Sequence, residues 1–408
     1  MTIDVLDEWG ADFVAFHGLF ADVFPRKEPR AQAIKYLRGL MAQIARKNSW
    51  QLAEAVGDRI PDANQRLLYR AHWQADAARD VLQQYVIEVF GDEEGIGVVD
   101  ETGFIKKGKR SVGVKRQYSG TAGKVENCQI GTFLSYATAK GHVFLDRCLY
   151  LPEEWCDDAE RRVQAKVPEE AVFQTKPRQA LVMLEHAWEQ GVPMRWVTGD
   201  EVYGDASELR DAIACHGRVY VLAVRSHTPV WTERPPVVEP QLQKRGRPRT
   251  RVCLGEDAPP ATVVVAVVAA WSEQRWQPLT VAEGEKGLVT YDWACQRIVE
   301  SSNRLPGRDG WLIARRSLND PEEIAYYLSN APADTPLLQL AQVASQRYTV
   351  EQCIKEAKGE TGLDDYEARH WQSWHRHITL SMMAHTWLAA IRYKANQEKG
   401  GLSLSWPN

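Results

Sequence analysis

The sequence predicts an α/β protein: a mixed sheet with flanking helices, a helical N-terminal region before it, and a β-rich insertion ahead of a late amphipathic helix. Three observations predict it. Apolar residues recur at three- and four-residue spacing through residues 1–94. Between residues 95 and 225, short β-branched and aromatic runs give way to alternating helix and strand patterns. From about residue 226 to 340, proline, charge and strand-like runs dominate before helical periodicity returns at 341–408.

In the first segment, Leu37, Leu40, Met41, Ile44 and Ala45 form one helical stripe, and Leu82, Tyr85, Val86 and Val89 form another. Pro61 breaks the run, and Asp62-Ala63-Asn64 offers a helix start. This segment is expected to bind DNA, to dimerise, or to cap the following domain. Ile96 to Val99 reads as a buried strand ending in Asp100. Residues 112–118, 128–137 and 143–150 follow as strands, separated by Gly and Lys turns. Then come a helix at 178–190, a strand at 194–198, a helix at 206–216 and a strand at 219–224. Within the insertion, residues 261–271, 288–293 and 311–315 read as strands. Residues 346–360 read as an amphipathic helix. Residues 377–395 read as a closing helix with Leu380, Met383, Ala384, Trp387 and Ile391 on one stripe.

Composition narrows the class. Of 408 residues, 44% are apolar and 25% charged, which excludes wholesale disorder and fibrous repeats. No apolar run approaches the ~18 residues of a membrane span. The acidic start MTIDVLDEWGADF lacks the basic and apolar regions of a secretory signal, so a cytoplasmic location is expected. Seven dispersed cysteines form no CxxC pair, which points to incidental thiols. His370, His375 and His377 lack the matching acid or cysteine of a metal site and read as structural. No Walker A or Rossmann fingerprint is present, which argues against a nucleotide cofactor. The net charge of −4 does not itself suggest a polyanion partner. The distribution of charge does.

Two apolar runs end in carboxylates, Asp100 and Asp200. Strand ends line the functional edge of α/β sheets, and two acids there can share a hard cation such as Mg²⁺. Glu101 competes with Asp100, but alternation turns it to the other side of the strand. Glu201 and Asp205 compete with Asp200. Asp364 and Asp365 lie past a Gly and read as turn residues. On the late helix, Arg347, Glu351, Lys355 and Lys358 share one face, a carboxylate among cations.

This R-x3-E-x6-K pattern, after Asp at two strand ends, resembles the DDE transposases of bacterial insertion sequences, in the branch named for a Tyr-Arg-Glu-Lys signature. The segments DETGFIKKGKRSVGVKRQYSGTAGKVENCQIG, LYLPEEW, VTGDEVYG, DGWLIARRS and KGETGLDDYEARHWQSWHRHITL resemble further landmarks of that group. Position 344, where the signature Tyr should lie, is Ala, and Tyr348 sits just after Arg347. The resemblance implies an RNase H-like sheet in which Asp100, Asp200 and Glu351 are catalytic and hold two Mg²⁺ ions, with Mn²⁺ as a substitute. It implies DNA transposition and recombination by cut-and-paste: cleavage at transposon ends through a hairpin intermediate, then joining of 3′-OH ends to target DNA. The implied partners are double-stranded DNA, as terminal inverted repeats and target, and a second copy of the chain. Arg347 and Lys358, with Lys355 on the same face, would hold the DNA backbone.

Two basic clusters fit that expectation. Lys106, Lys107, Lys109, Arg110, Lys115, Arg116 and Lys124 follow Asp100 closely and suit phosphate contacts. Arg245, Arg247 and Arg249 lie in a run with no acid, whose Arg-Gly-Arg-Pro core resembles an AT-hook for the minor groove. Trp311, at the start of WLIA, falls where the family places a base-stacking Trp. Two rival functions remain: a simple Mg²⁺-dependent nuclease and a domesticated, non-transposing DNA-binding protein.

Overall fold

A computed structural model describes residues 3–240, 251–284 and 287–398 of the chain. It divides into two units, residues 3–195 with 348–398, and residues 196–347. Among the described residues no helix is long and apolar enough to cross a membrane.

The first unit opens with five helices: α1 (Ile3–Gly18), α2 (Lys27–Met41), α3 (Ser49–Ala55), α4 (Asp62–Tyr69) and α5 (Ala75–Phe90). Asn48 starts α3 by accepting from the N–H groups of Trp50 and Gln51, and Pro61 immediately precedes α4 as expected. Strands β1 (Gly95–Ile105), β2 (Lys115–Ser119), β3 (Lys124–Thr138) and β4 (Gly141–Leu149) follow. β3 pairs antiparallel with β1, β2 and β4. Helices α6 (Glu153–Asp157), α7 (Ala159–Ala165) and α8 (Lys176–Glu189) complete this stretch. Two expectations need correction. Asp100 does not end its strand: β1 continues to Ile105, because Thr102, Gly103 and Phe104 are buried in turn and the pairing runs on to Cys128. Residues 112–114 are not strand, because Gly113 takes φ +73° and Val114 N–H closes a turn on Ser111.

The second unit begins within β5 (Met194–Gly199). There follow α9 (Glu201–Gly204), α10 (Ser207–Cys215), β6 (Val219–Val224), β7 (Pro229–Trp231), β8 (Val237–Val238), β9 (Cys253–Leu254) and β10 (Thr262–Val263). After these come α11 (Val264–Ala269), β11 (Gln277–Gly284), β12 (Gly287–Ser302), β13 (Leu305–Arg316), β14 (Ile324–Ser329) and α12 (Leu337–Ser345). β6 runs parallel to β5 and antiparallel to β14, and the antiparallel ladder continues through β13 and β12 to β7. Three antiparallel strands, then helix, strand, helix and a parallel strand, make the RNase H-like order that the resemblance implies. The β-rich character of the insertion holds, with one reversal: the valine run at 261–271 is mostly helix. Val264, Val267 and Val268 bury one face, and the first N–H groups of α11 find the carbonyls of Thr228 and Ser226. Burial there overrides the β preference of valine. The other two strands extend beyond the expected segments: β12 runs on to Ser302, and β13 starts six residues before Trp311, at Leu305.

The chain then returns to the first unit with α13 (Arg347–Thr361) and α14 (Trp371–Glu398). Gly362, at φ +62°, ends α13 and turns the chain. α14 starts earlier than expected and is not a one-striped surface helix. Ser373, Trp374, Arg376 to Thr386 are buried around its whole circumference. It packs against α2, α4, α5 and β4 as the centre of the unit's core.

Burying so many polar groups requires partners. Arg376, 2% exposed, donates to the carbonyls of Leu68 (3.0 Å), Ala71 (2.6 Å) and Trp73 (2.6 Å) where α4 ends. Burial lowers its pKa to about 10. His377 is fully buried between the Tyr36 hydroxyl (2.9 Å from Nδ1) and the Gly362 carbonyl (3.0 Å from Nε2), and it is held neutral, its pKa lowered by burial from 6.5 to about 4. Between those values the unfolded chain binds the extra proton, so stability falls as pH drops. From pH 7 to 5 this residue alone is expected to cost about 2 kcal/mol. Urea unfolding at both pH values checks this, and a free energy unchanged across the interval would rule it out.

Candidate active site

Asp100 is the sixth residue of β1, opposite Phe133 of β3, and is half-buried. Its Oδ1 accepts from the N–H of Glu101 at 2.7 Å. Glu101 points the other way and forms an ion pair with Lys176, at the start of α8. Alternation therefore works as expected, and Asp100 shares its side of β1 with Val98, Thr102 and Phe104.

That side carries α13. Lys358 Nζ donates to Thr102 Oγ1 at 2.9 Å. Earlier on the helix, the Cys353 thiol meets Ser135, which pairs with Val98. The helix thus runs back along β1 from Thr102 towards Val98, past Asp100. Val350, Cys353, Ile354 and Ala357 anchor it in the core. Glu351, two turns before Lys358 and on the same helical face, is exposed. Asp100 and Glu351 consequently lie on one side of β1.

Asp200 belongs to the second unit, where it follows β5 and caps α9, its Oδ1 accepting from Val202 N–H at 2.8 Å. The VTGDEVYG landmark has a local reason. Its last glycine lets α9 lie on β6, where a Cβ at Gly204 would come within 1.7 Å of the Ala223 carbonyl. Asp205 is committed to the N–H of Arg225 (3.1 Å) and the Thr228 hydroxyl (3.2 Å). Among the described residues, no three His, Cys, Asp or Glu side chains are already gathered into a metal cluster.

The basic residues divide. Lys107, Lys109, Arg110 and Arg116 are exposed. Lys115 pairs with Glu154 and Lys124 with Glu126. Lys106 is turned inward: it donates to the Tyr366 carbonyl at 3.0 Å, lies 3.5 Å from the Tyr366 ring centre, and burial lowers its pKa to about 8. Lys358, likewise, is half-buried against Thr102, with its pKa lowered by burial. Lys355 is exposed and Arg347 half-buried. Arg245, Arg247 and Arg249 lie outside the described residues. Trp311 is half-buried on β13; its Nε1 donates to the Pro332 carbonyl at 3.1 Å and Arg297 lies 4.9 Å from its ring centre. Ala344 is buried in α12, and Tyr348 stands 43% exposed on α13.

Sequence reasoning passed over Glu356, five residues beyond Glu351. It is enclosed by His142 Nε2 (3.3 Å), His385 Nε2 (3.3 Å), Gln352 and Arg392. Burial alone would raise its pKa, but the bonds from His142 and His385 outweigh it and hold the carboxyl below its ordinary range. Its histidine and arginine partners come from β4 and α14, so local spacing could not have signalled its burial.

The family model described as DDE superfamily endonuclease matches residues 19–288, a region that holds Asp100 and Asp200 and ends before Glu351. The chain is 24% identical over 344 residues to the "Probable transposase for insertion sequence element IS701" of Microchaete diplosiphon, covering 83% of this chain and 77% of that protein. Among solved structures, a piggyBac transposase synaptic complex with hairpin DNA aligns at 9% identity and a TM-score of 0.45, covering 92% of this chain and 67% of that one. With its family model matched over 66% of its length (270 of 408 residues), the chain belongs to the DDE superfamily of endonucleases.

Proposed function

We propose that this enzyme is a cut-and-paste transposase whose reacting centre is formed by Asp100, Asp200 and Glu351. The observation that carries the proposal is the course of α13 along β1, which sets Glu351 and Asp100 on one side of the strand.

DDE endonucleases use divalent metal ions. A set of carboxylate oxygens suits a hard cation, and Mg²⁺ is the expected ion. Asp100, Asp200 and Glu351 would hold it. When bound, such ions activate the attacking oxygen and stabilise the leaving one in an in-line displacement. The chain's own contribution is positional. The backbone N–H groups of Glu101 and Val202 orient the Asp100 and Asp200 carboxylates. Lys355, exposed one turn beyond Glu351, is placed to meet a phosphate.

The partner is double-stranded DNA, as transposon ends and target, bound by two copies of the chain. Cleavage passes through a hairpin, and the freed 3′-OH is joined to target. Trp311 stabilises an extruded base during hairpin formation: its ring is fixed at one edge by Pro332 and backed by Arg297. Incubating the protein with labelled end duplex, target plasmid and Mg²⁺ tests this. Nicks, hairpins and joined products are expected; cutting without joining would indicate a nuclease, and specific binding alone a domesticated binder. Trp311→Ala is expected to nick at the parent rate with at least tenfold fewer hairpins, consistent with ~1–3 kcal/mol per stacked base. Unchanged hairpin yield would remove Trp311 from that role.

A further inference from the structure

The first unit carries a cationic cleft whose lining residues are all distinct from the acids proposed above. A cavity of about 440 Å³ is lined by Arg66 and Arg70 of α4, Lys166 after α7, and Tyr69 and His370, with Asp62 as its one acid. Arg66, Arg70 and Lys166 are exposed, and among the described residues none of them has an ion-pair partner. A second cavity of about 500 Å³ shares Gln65, Tyr69 and His370 with the first and adds Lys47, Arg369 and Trp50, the last 57% exposed, together with the acids Asp365 and Glu367, so that across the two cavities five cations face three acids. In a chain of net charge −4, this is a local excess of positive charge.

The electrostatics of the ring at the shared wall agree with this charge. His370 titrates below its ordinary value, first through burial and then through the fields of Lys166 and Arg369. Both of those cations thus act on the ring that the two cavities share. Lys166, moreover, holds φ +54° where α7 ends. That left-handed conformation is uncommon for any residue but Gly, Asn or Asp. Glycine would adopt that conformation without strain.

We propose that this cleft binds the phosphate backbone of duplex DNA, with Arg66, Arg70 and Lys166 each meeting a phosphate and Trp50 at the rim. The proposal deepens the transposase reading and rests on it. It gives the N-terminal helices a DNA contact separate from the acids.

The test is binding of a labelled duplex by the full chain, measured by fluorescence anisotropy across a salt series. Each lost phosphate contact makes the slope of log K against log salt shallower by about 0.9. The variant Arg66→Gln/Arg70→Gln/Lys166→Gln is expected to lose about three units of slope and at least tenfold in affinity. Lys166→Gly removes the charge while relaxing the backbone, so it is expected to fold as well as the parent and lose about one unit. Arg26→Gln/Lys27→Gln, an exposed pair elsewhere, is the control and is expected to bind like the parent. An unchanged slope in the triple and Lys166→Gly variants would overturn the cleft, as would an equal loss in the control. If the cleft fails while Glu351-dependent cleavage persists, the enzymatic reading stands. A parent that neither binds duplex nor cleaves it would overturn both.

Discussion

Replacing Glu351 by Gln is expected to reduce cleavage of end DNA in Mg²⁺ by about a thousandfold while leaving the melting temperature unchanged. The two halves of this result have separate causes. Losing a charged oxygen donor to a catalytic cation removes roughly 4 kcal/mol of transition-state stabilisation, or about three decades in rate. The fold is spared because Glu351 is exposed on α13, and such surface changes stay within about 0.5 kcal/mol. Glu356 supplies the contrast on the same helix. Its carboxylate is enclosed by His142, His385 and Arg392, so Glu356→Gln is expected to cost about 3 kcal/mol of stability. Single-turnover cleavage and thermal melts of both variants decide the matter. Glu351→Gln cleaving within tenfold of the parent would place the third carboxylate elsewhere.

The largest effect on stability is expected at Arg376. Arg376→Met keeps an unbranched apolar stem but removes the guanidinium that donates to the carbonyls of Leu68, Ala71 and Trp73. Stranding several buried acceptors costs about 1 to 3 kcal/mol each when no water reaches them, and relaxation recovers part of that. A net loss of about 4 kcal/mol is expected. Chemical denaturation measures it. A loss below 1 kcal/mol would mean that the end of α4 finds other partners, and that Arg376 is not what joins α4 to α14.

Legibility in the sequence followed the range of the forces involved. β6 was readable to the residue, because its short apolar run is bounded by turn residues on both sides. α8, α10 and α13 were readable to within two residues from periodicity and caps. The valine run at α11 was misread because local propensity points to strand, while carbonyls at Ser226 and Thr228 and burial of one face decide for helix. α14 was misread for a related reason: one apolar stripe was legible, but several polar residues on its other faces are buried against partners far away in sequence, as His377 is at Tyr36 and Arg376 at Leu68. At the candidate site, the alternation separating Asp100 from Glu101 was legible. The inward turn of Lys106 onto Tyr366 was not, since a lysine among lysines gives no local sign that one is buried.

The central position of α14 also bears on how the molecule is made. Helices α1 to α5 leave the ribosome first, yet the helix that fills their core begins at Trp371, after the whole second unit. At 5–20 residues per second, that interval lasts on the order of tens of seconds. Throughout it, Phe16, Phe20, Phe24, Leu37 and Leu40 have no complete core to enter. Nascent chains should therefore depend on chaperones, and a release before Trp371 should yield an aggregation-prone fragment in place of a smaller working protein. Production of active enzyme is in this sense gated by completion of translation.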